Sequence, residues 1–128
     1  MKEVALVFDK DGRAIHWMDG ASGAAIPDSR SLWEVIWENR KIIGGVAHTH
    51  PWDGPTGPSG TDLTTFNALE RGLNLSLVWP IITMTHEVYF TIDPRDGSAY
   101  LEQFPPTFAS SLEWRGNIEE LRRKSRGA

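Results

Sequence analysis

Cysteine is absent from all 128 residues, which excludes disulfide staples and thiolate ligands to a metal. The same absence fits a cytoplasmic protein. Long apolar runs are missing too, and no stretch approaches the roughly 20 residues that a membrane-crossing helix requires. The opening segment carries acids at Glu3, Asp9 and Asp11, so it has neither the apolar core nor the small-residue cleavage site of a signal peptide. Positive charge is scarce, with 13 Lys and Arg against 17 Asp and Glu and a net charge of −4. Such a chain is a poor ligand for a polyanion. Its one basic cluster, Leu121 to Arg126, adjoins Glu119 and Glu120 and reads as the solvated end of a helix. Nucleic acid and membrane are not the expected partners.

What is present is globular: 40% hydrophobic and 23% charged residues, at the length of one domain spanning 1–128. The run from Glu3 to Asp19 reads as two strands joined by a turn at Asp11-Gly12. A loop follows over 20–29. A helix over 30–41 places Leu32, Val35 and Ile36 on one face and Trp33 and Trp37 four apart, with Ser29 or Ser31 as its cap. Residues 42–50 form an apolar strand in which Gly44 and Gly45 mark a bulge or a close approach of other backbone. A helix from Thr61 to Arg71 ends at Gly72. Three strands follow, in 75–85, 87–93 and 98–104, the last two joined by a turn around 94–98. Pro80 marks an edge or a bulge in the first of them. Ser111 caps a last helix on which Trp114, Ile118 and Leu121 fall on one face. The pattern is ββ-α-β-α-βββ-α, an α+β fold with a mixed sheet flanked by helices.

The chemistry concentrates in Gly44–Phe66, GGVAHTHPWDGPTGPSGTDLTTF. Alternate residues of a strand share a face, so His48 and His50 point the same way. Two imidazoles suit zinc, and a catalytic zinc site takes a third protein ligand while keeping its fourth position for water. The Gly- and Pro-rich loop permits a reversal that brings Asp62 back, in the first turn of a helix capped by Ser59. The same Ser-x-x-Asp is a capping box in its own right. His16 and His86 stand alone in strand-like segments and read as ordinary surface or half-buried histidines. Trp17 and Trp79 read as packing residues, and Trp52, beside His50, as core cover or as a wall for an extended peptide.

The segment HTHPWDGPTGPSGTD resembles the JAMM motif of the MPN/JAB1 metalloprotease domains: His-x-His-Pro, a short loop, then Ser-x-x-Asp. The order of strands and helices along nearly the whole chain is similar as well. The resemblance implies an MPN/JAB, cytidine-deaminase-like fold with one zinc held by His48, His50 and Asp62. It implies that Ser59 positions water or steadies an oxyanion. It also implies a catalytic glutamate at the start of an early strand, which Glu3 in EVALVF matches; Glu34 and Glu38 are the rival choices. The implied activity is that of a peptidase or isopeptidase acting on a protein or peptide, such as the tail of a ubiquitin-like or sulfur-carrier-like protein.

Three departures stand beside this likeness. Eight residues separate His50 from Ser59 where the family usually has seven, in a loop whose length is cheap to change. The helix that usually precedes the glutamate strand is missing, which leaves the C-terminal helix or a partner chain to cover an apolar face. The long insertions with which relatives grip ubiquitin chains have no counterpart. A catalytically silent interaction scaffold is the alternative function, though such relatives generally lose a metal ligand and this chain keeps them all. Metallo-β-lactamase and amidohydrolase patterns, which also use His-x-His, fail here on spacing or on length.

Overall fold

The structure, a computed structural model, describes residues 2–19 and 30–127. The loop expected over 20–29, with the possible cap at Ser29, lies outside the described residues. Among those described, six strands form one mixed sheet flanked by three α-helices. The strands are β1 (Val4–Asp9), β2 (Ala14–Asp19), β3 (Ile43–Thr49), β4 (Trp79–Ile82), β5 (Glu87–Ile92) and β6 (Ala99–Leu101). The helices are α1 (Arg30–Glu38), α2 (Gly60–Leu73) and α3 (Leu112–Arg126), with a short 3-10 turn over Thr107–Ser110. Across the sheet the order is β2-β1-β3-β4-β5-β6, with only the β3–β4 pair parallel. A parallel pair needs a crossover, and α2 supplies it.

Alternation along β1 explains the layers. Val4, Leu6 and Phe8 face one side and pack with Trp114, Ile118 and Leu121 of α3. Ala5 and Val7 face the other side, among Leu32 and Ile36 of α1 and Phe66 and Leu69 of α2. Both faces of β1 are thus buried, which is why it reads as an unbroken apolar run. The C-terminal helix covers the face that the sequence left open. Its Trp114 lies against Phe8, with ring centroids 4.8 Å apart, and its indole N–H donates to the Tyr89 hydroxyl at 2.8 Å. Phe66 stacks on Trp79 on the opposite face, with centroids 4.1 Å apart.

The two glycines of β3 realise the two alternatives expected there, one each. Between Phe8 and Asp9 the β1–β3 register slips, Phe8 facing Gly45 and Asp9 facing Ile43, so Gly44 is the extra residue of a bulge. At Gly45 a β-carbon would stand 1.9 Å from the Val78 carbonyl oxygen, so β4 can approach only a residue without a side chain.

Four expectations need correction. Helix α2 does not end at Gly72; it runs to Leu73 and is capped by Asn74 in the left-handed conformation at φ 52°. Gly72 lies inside the helix, where the Trp33 ring packs so closely that a β-carbon would stand 2.7 Å from it. Pro80 is not on an edge, since β4 lies between β3 and β5. The β3–β4 pairing accommodates it by breaking between the Gly45–Val78 bridge and the His48–Ile81 pair. Ser31 lies within α1 rather than capping it, and that helix stops at Glu38, short of Lys41. Finally, the long strands expected over 75–85 and 98–104 contract to four and three residues.

Candidate metal centre

His48 and His50 stand at the C-terminal end of β3, and both rings are buried. Asp62 reaches them from the first turn of α2. Ser59 fixes that turn through a complete capping box: its Oγ accepts the Asp62 N–H at 3.0 Å, and Asp62 Oδ2 accepts the Ser59 N–H at 2.9 Å. Glu3 arrives by register. Ala5 pairs with His48 in the antiparallel β1–β3 ladder, so the same register carried two residues back sets Glu3 opposite His50. Cross-strand partners share a face, so Glu3 and His50 lie on the same side of the sheet as Ala5 and His48.

Three ligand atoms form a nearly equilateral triangle. His48 Nε2 lies 3.1 Å from His50 Nε2 and 3.2 Å from Asp62 Oδ2, and His50 Nε2 lies 3.1 Å from the same carboxylate oxygen. Atoms bound tetrahedrally to zinc at about 2.0–2.1 Å stand about 3.3 Å apart, so these separations fit one small cation. Glu3 is farther back, with Oε1 3.8 Å from His50 Nε2. Glu3, His48 and His50 also offer three ligand atoms within 4.8 Å of one another. The Asp62 set has the shorter edges and is the better ligand triad, which leaves Glu3 as the neighbouring carboxylate.

Donor chemistry gives the same result as distance. An imidazole Nε2 carries at most one hydrogen, so two such atoms facing each other and one carboxylate oxygen cannot all be satisfied by ring protons. A cation among them resolves the conflict. Asp62 Oδ1, Glu3 Oε2 and His48 Nδ1 are buried with no hydrogen-bond partner among the described residues, a concentration of unsatisfied groups that a folded core normally avoids.

Burial and neighbours set the protonation states of the cluster. Burial pushes the Glu3 carboxyl up to about 7, His50 opposing and the Asp62 charge adding. That places its titration near neutrality, where a general base works best. Burial also lowers the His48 pKa, against the hydrogen bond and charge of Asp62, and so favours a neutral imidazole with a lone pair to give. For Asp62, burial alone would push upward, but the contacts with His48 and His50 and the Ser59 N–H hold it well below the usual carboxylate range.

All three proposed ligands and Glu3 therefore meet in one place. Ser59 is seen as the helix cap, with its backbone hydrogen-bonded to Asp62. Glu34 and Glu38 are exposed on α1, and His16 and His86 are exposed as well. Trp79 is fully buried and Trp17 packs against the α3-side core. Trp52 is half-exposed, its ring 4.6 Å from that of His50.

Two threonines belong to the site that the sequence reading passed over. Thr56 Oγ1 lies 2.9 Å from His50 Nδ1. The buried Thr49 hydroxyl accepts the Val4 N–H at 2.9 Å, just beyond Glu3. A threonine in a loop or a strand carries no signal by itself; only the fold brings these hydroxyls to their partners.

No protein-family model matches the chain, and no curated protein matches it. No helix among the described residues is long and apolar enough to cross a membrane.

Proposed function

We propose that this chain is a zinc-dependent peptidase or isopeptidase of the JAMM type, with the MPN/JAB, cytidine-deaminase-like fold that such a role implies. The observation that carries the reading is the triangle of His48 Nε2, His50 Nε2 and Asp62 Oδ2 with a buried, elevated-pKa Glu3 beside it. Zinc supplies a Lewis acid that makes water nucleophilic near neutral pH and polarises a carbonyl. His48, His50 and Asp62 would hold it.

The rest of the chemistry falls to the chain's own groups. Glu3, in its ionised form, takes a proton from the attacking water and returns it to the leaving amine. Its placement across from His50 keeps that transfer local. Ser59, at the mouth of α2, is assigned the hydrogen bond to the oxygen that gains charge on the carbonyl. Trp52, half-exposed beside His50, provides a flat apolar wall along which an extended peptide can lie. The substrate class inferred is the C-terminal tail of a ubiquitin-like or sulfur-carrier-like protein, or a conjugate made through that tail.

Zinc stoichiometry and hydrolysis of a ubiquitin-like protein fused through its tail to a reporter test this together. Wild type and Glu3→Gln are expected to bind one zinc each, with turnover lost only in Glu3→Gln. Absence of zinc from the wild-type protein at micromolar metal and neutral pH would instead support the silent-scaffold reading.

A further inference from the structure

We propose that Thr56 sets the tautomer of His50, and that the Pro51–Pro58 loop is a holder for that ring rather than a passive spacer. The inference rests on the metal-centre reading above and deepens it. His50 can offer Nε2 to a cation only if its ring hydrogen sits on Nδ1. Thr56 Oγ1 lies 2.9 Å from Nδ1, and the Gly57 carbonyl oxygen, 3.4 Å from the same Oγ1, is an acceptor within reach of its hydroxyl. A hydroxyl that gives its hydrogen to Gly57 is left to accept from the imidazole. The chain of donors therefore runs from Nδ1–H to Thr56 to Gly57, and it leaves the Nε2 lone pair facing Asp62 and His48. Partners of this kind fix ring orientation at metal sites and raise ligand basicity.

The same loop holds the ring from a second side. Trp52 packs against it with ring centroids 4.6 Å apart. The loop in turn is tied to the turn between β4 and β5 at three points. Met84 N–H donates to the Trp52 carbonyl at 2.9 Å, Gly54 N–H donates to Thr85 Oγ1 at 2.7 Å, and the buried Thr83 hydroxyl donates to the Gly54 carbonyl at 2.7 Å. His48 has no equivalent support, its Nδ1 being buried without a partner among the described residues. The two histidine ligands thus differ: the Nδ1 of one meets a hydroxyl of its own loop, and the Nδ1 of the other has no such partner among the described residues.

The test is zinc affinity by competition with a chromophoric chelator, on wild type, Thr56→Val and Thr56→Ser. A second readout is long-range proton–nitrogen NMR of the His50 ring in the metal-free proteins. Thr56→Val keeps the shape and removes the hydroxyl; it is expected to weaken zinc binding by about 10- to 100-fold and to mix the His50 tautomers. Thr56→Ser restores the hydroxyl and is expected to bind within about threefold of wild type. Equal affinity for wild type and Thr56→Val overturns the inference, as does an equal loss in Thr56→Ser, which would assign the effect to the methyl group. Failure of wild type itself to bind zinc sinks the metal centre instead, so the two failures are distinct.

Discussion

Lys2 and Ser125, at opposite ends of the chain, exchange two hydrogen bonds. The Lys2 N–H donates to the Ser125 carbonyl at 2.9 Å, and the Ser125 hydroxyl donates back to the Lys2 carbonyl at 2.6 Å. The first satisfies one of the carbonyls left over in the last turn of α3. With Thr49 holding the Val4 N–H, the backbone on both sides of Glu3 is fixed, by β3 on one side and α3 on the other. The C-terminal helix thus positions the carboxylate assigned as general base.

Replacing Ser125 with alanine removes half of this exchange. Ser125→Ala is expected to lower stability by about 1 kcal/mol, the usual worth of one such bond. Turnover of the fusion substrate should fall by about tenfold with zinc content and KM unchanged. Introduced into Glu3→Gln, the same substitution should cost stability but no further turnover. A role in folding alone would leave turnover per folded molecule intact in the single variant.

Asp62 serves both the metal and the helix, and substitution can separate the two roles. Asp62→Asn keeps an oxygen for the Ser59 N–H but removes the charge. It is expected to lose zinc while its metal-free form melts within a few degrees of metal-free wild type. A chelator should lower the melting temperature of zinc-loaded wild type, because a ligand bound only to the folded state stabilises it. The same chelator should leave Asp62→Asn unmoved.

Gly45 tests the packing of β3 on β4. A methyl group there would meet the Val78 carbonyl at 1.9 Å and the Phe8 ring at 2.8 Å, so Gly45→Ala must push the parallel pair apart. A loss of about 3 kcal/mol is expected from urea unfolding. Zinc affinity should fall as well, because His48 and His50 ride on the same strand.

Tyr89 gives the fold an alkaline limit. Burial pushes its phenol up to about 12; the Trp114 indole N–H works against the rise and the Glu87 charge adds to it. A group whose pKa is raised on folding contributes stability that is complete below its unfolded value. That contribution then drains away as pH climbs through the folded one. Stability attributable to Tyr89 should therefore be full below about pH 10 and lost between 10 and 12. In Tyr89→Phe, urea midpoints should be lower at pH 8, where the Trp114 N–H has lost its acceptor, and should change less from pH 10 to 11. Parallel slopes in the two proteins would contradict this.

The parts of the site most legible in the residues themselves are those whose partners lie nearby in sequence, whereas Glu3 is named only through the family resemblance. His48 and His50 share a face because a strand repeats every two residues, and Ser59 and Asp62 cap α2 because a helix start leaves its first N–H groups open. Gly44 and Gly45 announced a bulge or a close approach, and the structure has one at each. Gly72 and Pro80 misled because their usual local meanings do not hold in this fold, where Trp33 packs on the one and the interrupted β3–β4 pairing accommodates the other.

The amino-acid order by itself determined the ligand types, their shared face and the capped turn that presents Asp62. Only the tertiary structure set Glu3 across from His50, brought Thr56 to His50 Nδ1 and tied Lys2 to Ser125. The physical reason lies in the range of the forces involved. Backbone geometry dictates neighbours a few residues apart. Strand register and helix docking instead follow from burying Val4, Leu6 and Phe8 against α3 while Ala5 and Val7 meet α1 and α2, a condition that the whole core must satisfy at once.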